Sequence, residues 1–252
     1  MTADTVVCDR LVVSVVSHGQ ADLVTRLCAD LAAFCQTPLH LVITINRPET
    51  LPEPVAPFPV TIIRNARARG FAENHNAAAV AVPSDVFCVV NPDLRLTHDP
   101  FPALMAALKD PAVGVAAPRV VGSGGAEEDS ARVFPTPLGA LRRLVKGGTP
   151  GDCARVEWVA GMFMAFRSAT FAAVGGFDPR YHLYYEDCDL CCRLVLAGYS
   201  VVRVPAAVVV HDAQRASHRR PRYFLWHVQS ALRFFRSQAY RQLRSRAQSG
   251  AR

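Results

Sequence analysis

The sequence predicts an α/β domain on a mostly parallel central sheet, followed by a basic amphipathic C-terminal helix. Two observations in the first 120 residues carry the sheet: short β-branched apolar runs, and segments of helical period between them. A third, a C-terminal stretch that mixes arginines with aromatics and contains no acid, carries the helix.

Leu11–Ser17 (LVVSVVS), Leu39–Ile45 (LHLVITI), residues 60–63 and Val86–Val90 are apolar on both alternating sets of positions, as strands buried on both faces are. Ala21–Phe34 places Leu23, Leu27, Leu31 and Phe34 at helical spacing. Residues 72–82 are alanine-rich, and Phe101–Leu108 is entered through Pro100. Residues 119–155 break this rhythm with Gly, Pro and charge, leaving only an apolar patch over 138–145. They read as a long, partly mobile excursion, of the kind that forms lids or touches acceptors. Order resumes over 156–166, with a helix over 168–174 and a second helix from the acidic stretch near Glu186. Residues 199–204 and 206–210 read as two strands that lead to His211.

With 252 residues, half of them apolar, the chain suits a single domain over 1–213 and a tail over 214–252. Its longest apolar runs fall far short of the roughly 20 residues that span a bilayer. Asp4, Asp9 and Arg10 interrupt any secretory leader, so a cytoplasmic location is expected. The cysteines lie mostly in apolar stretches and read as small hydrophobes. Cys188 and Cys191 form one CxxC with no second pair nearby, which argues against zinc or redox chemistry. From Gln214 onward there are ten arginines and no acids, whereas the body is mildly acidic. Phe224, Val228, Ala231 and Phe235 recur at steps of four and three among those arginines, which suits an anionic membrane surface. The other reading is that Phe224, Trp226 and Phe235 pack back onto the domain while the arginines are solvated. No nucleic-acid motif accompanies the helix, and nucleic acid is not an expected partner.

Ligands of open α/β sheets bind at the carboxyl ends of the strands. There the sequence offers Ser17-His18-Gly19 after the first strand and Asn46-Arg47 after the second. After the third come Asn65, Arg67, Arg69, Gly70, Asn74 and His75, and after the fourth Asn91-Pro92-Asp93. Asp93 is placed to offer an oxygen to Mg2+ or Mn2+, although Asn-Pro-Asp is also ordinary turn chemistry. His211 ends an apolar strand and could complete the metal shell or be structural. In GGFDPRYHLYYEDCDLCCRL (175–194), Glu186, Asp187 and Asp189 follow an aromatic run at a helix start. A carboxylate there has the tuned basicity of a general base; helix capping is the plainer alternative.

The order Asn65…Gly70-Phe71…Asn74, Asn91-Pro92-Asp93, Glu157-Trp158…Gly161, Gly175-Gly176-Phe177-Asp178, Tyr185-Glu186-Asp187-Cys188-Asp189-Leu190 and Val210-His211 resembles family-2 glycosyltransferases of the GT-A fold. It is most similar to their bacterial rhamnosyltransferase-like branch, over residues 10–235. The resemblance implies a nucleotide-sugar-binding half over 1–120 and an acceptor half over 156–213. It makes Asp93 and His211 metal ligands and Asp187 the base, with Glu186 orienting acceptor hydroxyls and Asp189 a helix cap. Ser17, His18, Asn46, Arg67, Arg69, Gly70, Asn74 and Asn91 fall on the donor side, and Trp158, Gly161 and Tyr185 on the acceptor side. Two departures lie on the nucleoside side: Ile45-Asn46 replaces a common Asp-Asn pair, and Ser17-His18-Gly19 replaces Thr-Tyr-Asn. The implied reaction is inverting, metal-dependent transfer from a donor such as dTDP-rhamnose or a UDP-hexose to a lipid-linked saccharide. It would take place at the inner membrane face during cell-surface polysaccharide synthesis. A catalytically silent membrane-bound assembly module is one rival. A nucleotidyltransferase is the other, disfavoured because the 17–22 turn has one glycine and no lysine.

Overall fold

The computed structural model describes residues 10–52, 56–146, 156–211 and 221–249. Among these residues, ten strands and eight helices follow one another as β1 (Leu11–Ser17), α1 (Ala21–Phe34), β2 (Leu39–Ile45), β3 (Val60–Arg64), α2 (Phe71–Ala81), β4 (Val86–Val90), β5 (Leu94–Arg95), α3 (Phe101–Leu108) and β6 (Val113–Gly122). Then come β7 (Ala131–Arg132), α4 (Pro137–Lys146), β8 (Trp158–Val159), β9 (Phe163–Arg167), α5 (Ser168–Ala173), α6 (Glu186–Leu196), β10 (Ser200–His211), α7 (Pro221–Arg236) and α8 (Gln238–Ser249).

Eight strands form one sheet in the order β3-β2-β1-β4-β9-β6-β10-β5, and β7 pairs with β8 apart from it. The β3-β2-β1-β4 half is parallel throughout. β9 runs antiparallel to both β4 and β6, while β10 returns parallel to β6. Alternate residues of one strand feed the two faces, which is why both sets of positions are apolar. Leu11, Val13, Val15, Leu41, Ile43, Cys88 and Val90 join α1 and α3 on one side. Val12, Val42, Phe87 and Val89 join α2, α5 and α6 on the other.

Ahead of the tail, the expected elements are corrected in three places. β6 was not anticipated, because Gly114, Ala116, Ala117 and Pro118 dilute its apolar pattern. Gly114 is required there: a Cβ would stand 2.7 Å from the Cβ of Tyr199 and 2.9 Å from Leu194 Cδ2. The two strands expected before His211 are one, β10, with a register shift between Val204 and Val208 that takes in Pro205. The excursion expected from 119 carries the end of β6, then β7 and α4; residues 147–155 lie outside the described residues.

The tail is two helices rather than one, and part of it packs on the body. Phe234 of α7 and Tyr240 of α8 are buried with Tyr181, Cys188 and Cys192, so both tail helices share a cluster with α6. Phe234→Ala would cost about 3–5 kcal/mol at such a site. Phe224, Leu225 and Leu232 remain on the outside, at 56%, 53% and 47% exposure. Among the described residues, no helix is long and apolar enough to cross a membrane.

Candidate active site

The carboxyl ends of β1, β2 and β3 are joined by an amide network. Asn46, buried at the end of β2, donates from Nδ2 to His18 Nδ1 (2.9 Å) and to the Arg69 carbonyl (2.9 Å). Its Oδ1 accepts from Asn65 Nδ2 (2.9 Å) and from the Arg69 N–H (2.8 Å). Asn65 Nδ2 also donates to Asn74 Oδ1 at 2.7 Å. The Asn46 amide has thus spent its two donors and two acceptor sites inside the protein. Asn46 and Asn74, expected on the donor side, use these amides to shape the 65–69 loop. Arg67 and Arg69 are the exposed groups that this loop presents. Ser17 is likewise buried, with its Oγ accepting from the Gln20 N–H, and Glu49 accepts from Gly19 and Ala21 at the mouth of α1. Burial, then Arg47, lowers the pKa of His18.

Gly70 opens α2, with Glu73 reaching back to its N–H at 3.2 Å. A Cβ on Gly70 would meet the His182 carbonyl oxygen at 2.8 Å, and Phe71 N–H donates to that same oxygen. Glycine here lets the donor-side loop touch the chain that leads into α6.

Sheet register brings the two expected metal ligands together. His211 pairs with Leu94, the residue after Asp93, and its Nε2 lies 3.3 Å from Asp93 Oδ2. On its other side, His211 Nδ1 bonds Glu128 Oε2 at 2.7 Å. The hydrogen bond to Asp93, reinforced by Glu128, raises the pKa of His211 to about 9. Asp93 Oδ1 is buried and has no hydrogen-bond partner. An unpartnered carboxylate oxygen beside a histidine whose far nitrogen is fixed by a second carboxylate suits a divalent cation. Among the described residues, no three His, Cys, Asp or Glu side chains gather around one point. The protein would therefore supply a partial shell, as expected for a cation shared with substrate phosphates.

A short path of hydrogen bonds runs from there to α6. Asn91 N–H donates to the Met162 carbonyl at 2.8 Å, and Gly161 N–H to Asp187 Oδ2 at 2.8 Å. Asp187 Oδ1 accepts from the Cys188 N–H at 2.7 Å. Burial raises the pKa of Asp187, against the pull of these two amides and of Arg132. Glu186 is only 4% exposed; burial first, and Asp187 second, raise its pKa well above the ordinary range. Its Oε2 is buried with no hydrogen-bond partner. Asp187 has the Gly161 and Cys188 amides and Arg132 in its favour, whereas Glu186 has only its own amide against burial and Asp187, so the pair's negative charge is favoured on Asp187. Glu186, expected to orient acceptor hydroxyls, therefore lies beneath the surface, next to Asp187. Asp189 does not cap α6: it is buried and paired with Arg193 at 2.8 Å. Cys188, Cys191 and Cys192 are buried, and burial raises their thiol pKa values, as expected of apolar packing.

A carboxyl whose folded pKa exceeds its unfolded value, about 4.3 for Glu, holds its proton longer in the folded state. Stability then falls as pH rises through that window, by about 1.4 kcal/mol per pH unit. Glu186→Gln should remove this loss. The melting temperature of the variant should exceed that of the parent at pH 8, and the two should converge near pH 4. A gap that does not change with pH would rule out a protonated Glu186.

On the acceptor side, Trp158 donates from Nε1 to the Val133 carbonyl at 3.0 Å, and the Arg132 guanidinium lies over its ring at 5.0 Å. Gly161 sits close to its neighbours: a Cβ would stand 3.2 Å from Phe71 Cζ, so the ring would have to give by a few tenths of an ångström. Tyr185 packs on α7 and begins α6. Glu128, Arg132 and Glu49 were not singled out from sequence. The first two lie in the Gly- and charge-rich stretch, where nothing local separates a site residue from a solvated one.

Two family models match the chain: "Glycosyl transferase family 2" over residues 13–163 and "Glycosyl transferase family group 2" over 93–246. Rhamnosyltransferase WbbL of Escherichia coli K12 is 26% identical over 239 residues, covering 87% of this chain and 90% of its own. N-acetylglucosaminyl-diphospho-decaprenol L-rhamnosyltransferase of Mycobacterium tuberculosis is 33% identical over 153 residues, 54% of this chain and 50% of that one. Among solved structures, mannosyltransferase PcManGT from Pyrobaculum calidifontis, in complex with GDP-Man and Mn2+, superposes with a TM-score of 0.60 at 17% identity. That match covers 89% of this chain and 64% of that one. GalNAc-T7 with UDP, GalNAc and Mn2+ gives 0.62 at 18% identity, over 81% and 44%. The likeness to these structures concerns the fold, whereas the family models span more than half of the chain, and together they make this protein a GT-A glycosyltransferase of family 2, on its rhamnosyltransferase-like branch.

Proposed function

We propose that the chain transfers a sugar, with inversion, from a nucleotide-sugar to a lipid-linked saccharide, in cell-surface polysaccharide synthesis. The observation that carries this is the path from His211 and Asp93 through Asn91, Met162 and Gly161 to Asp187, which links a cation-suited pair to the carboxylate at the start of α6. Asp93, through its unpartnered Oδ1, and His211, through Nε2 once the proton it shares with Asp93 has left, would hold Mg2+ or Mn2+, with Glu128 accepting the Nδ1–H and fixing the ring. Bound there, the ion supplies charge neutralisation for a departing nucleoside diphosphate. Arg67 and Arg69 add to that neutralisation from the donor-side loop. Asp187 takes the proton of the acceptor hydroxyl as that oxygen bonds the anomeric carbon and the carbon–oxygen bond to the diphosphate breaks. One displacement from the opposite face inverts the centre. Glu186, protonated and buried, leaves Asp187 as the charged member of the pair. Trp158 and Tyr185 line the acceptor side.

The donor is taken to be dTDP-rhamnose or a UDP-hexose, with rhamnose favoured by the two relatives named as rhamnosyltransferases. A decaprenol-linked substrate in the name of one of them supports an acceptor held in a membrane. The test is a panel of nucleotide-sugars with Mn2+ and a polyprenyl-diphosphate saccharide. Transfer from one donor with inverted product supports the reading, and retention at the anomeric carbon would sink it.

The outer face of α7 fits the same picture. Phe224, Leu225 and Leu232 are exposed beside Arg222, Arg233 and Arg236, a surface suited to anionic lipid and to a peripheral location on the inner face of the membrane. The protein should sediment with phosphatidylglycerol vesicles and be released by salt. Changing Phe224, Leu225 and Leu232 together to Glu should abolish sedimentation without lowering the melting temperature, because none of the three is buried. Equal binding by parent and variant would remove α7 as the lipid contact.

A further inference from the structure

Tyr184 and Tyr185 both have left-handed backbone, with φ of 71° and 65°. Bulky side chains avoid this region, and the conformation persists only where its surroundings over-determine it. Here the surroundings are α7. Ser230, buried on α7, donates from Oγ to the Leu183 carbonyl at 2.8 Å. The His227 ring lies 5.2 Å from that of Tyr184 and 5.4 Å from that of Tyr185. Phe234 closes on Tyr185 at 5.6 Å. One step earlier, Trp226 packs on His182 at 4.4 Å, and the His182 carbonyl accepts the Phe71 N–H at the start of α2.

Tyr185 is the N-cap of α6, makes no side-chain capping bond, and is followed directly by Glu186 and Asp187. The start of α6 is therefore set by the turn's backbone. Any rotation of the turn moves Asp187 relative to the Gly161 amide. A misplacement of about 1 Å at a reacting group can cost on the order of 10²-fold in rate.

We propose that Ser230 and His227 are positioning residues: they hold the left-handed Tyr184–Tyr185 turn so that α6 begins with Asp187 on Gly161. This rests on Asp187 being the base, and it gives the C-terminal helix a role in the chemistry beyond contact with lipid.

The test uses the full chain with Ser230→Ala, His227→Ala and the pair. Amide exchange over 183–188 should accelerate tenfold or more, while exchange over 86–90 in β4 stays at the parent rate. Turnover should fall about tenfold, with the donor KM and the thermal shift by UDP or dTDP plus Mn2+ unchanged. Ser230→Thr, which keeps the hydroxyl, should restore both. Parent-like exchange over 183–188, faster exchange everywhere without rescue by Thr, or local loosening with unchanged turnover would each overturn the proposal. Exchange needs no substrate, so it reports on the turn even if the base proves to lie elsewhere; that separate failure would appear as an active Asp187→Asn.

Discussion

Asp187→Asn should lower transfer by about 10² to 10⁴, the usual contribution of a positioned general base. The side chain that remains is close to isosteric, so the loss would be chemical. Its single oxygen can accept from Gly161 or from Cys188, but not from both. The amide that loses its acceptor would cost about 1–3 kcal/mol, offset in part because no charge is then buried. Nucleotide binding draws on the other end of the path and should survive. Thermal shifts by UDP or dTDP with Mn2+ are expected to match those of the parent. Full turnover in this variant would exclude Asp187 as base.

Asp93→Ala should be nearly as severe, roughly 10² to 10³ in transfer, equivalent to about 3–4 kcal/mol of transition-state stabilisation. Here the pattern is the reverse, since the nucleotide-dependent thermal shift by Mn2+ should also disappear. His211 would keep Glu128 as a partner, so the ring would stay in place and the fold should hold. His211→Ala is expected to weaken the Mn2+ effect less, because the Asp93 oxygens remain. If Asp93→Ala still responds to Mn2+ as the parent does, the cation is held elsewhere.

The parts of this molecule that were legible in its sequence share a physical character. β1, β2 and β4 are buried on both faces, so nearly every position is apolar and the run declares itself. Asp93, His211 and Asp187 stand where a strand ends or a helix starts, which makes a polar side chain conspicuous. β6 was hidden because close packing against α6 and Tyr199 demands small residues, and small residues carry little β signal. Glu186 and Asn46 could be located from sequence, but not their roles. Whether a carboxyl is sunk below its neighbour, or an amide is already saturated, depends on contacts from remote segments. The break between α7 and α8 at Ser237 was likewise unreadable, because a good helical pattern continues across it.

The antiparallel β9 has a mechanical consequence. Its reversal brings Phe163 opposite Val90, so the turn before β9 arrives at the edge where the parallel strands end. The loop that carries Asp93 and the turn that carries Gly161 are thereby pinned to adjacent rungs of one hydrogen-bonded ladder. A hinge between this loop and this turn would need to break sheet pairing, and a slip of one residue would shift the turn by about 3.3 Å and reverse the strand's faces. The spacing between the Asn91–Asp93 turn and Gly161 is thus fixed when the chain folds.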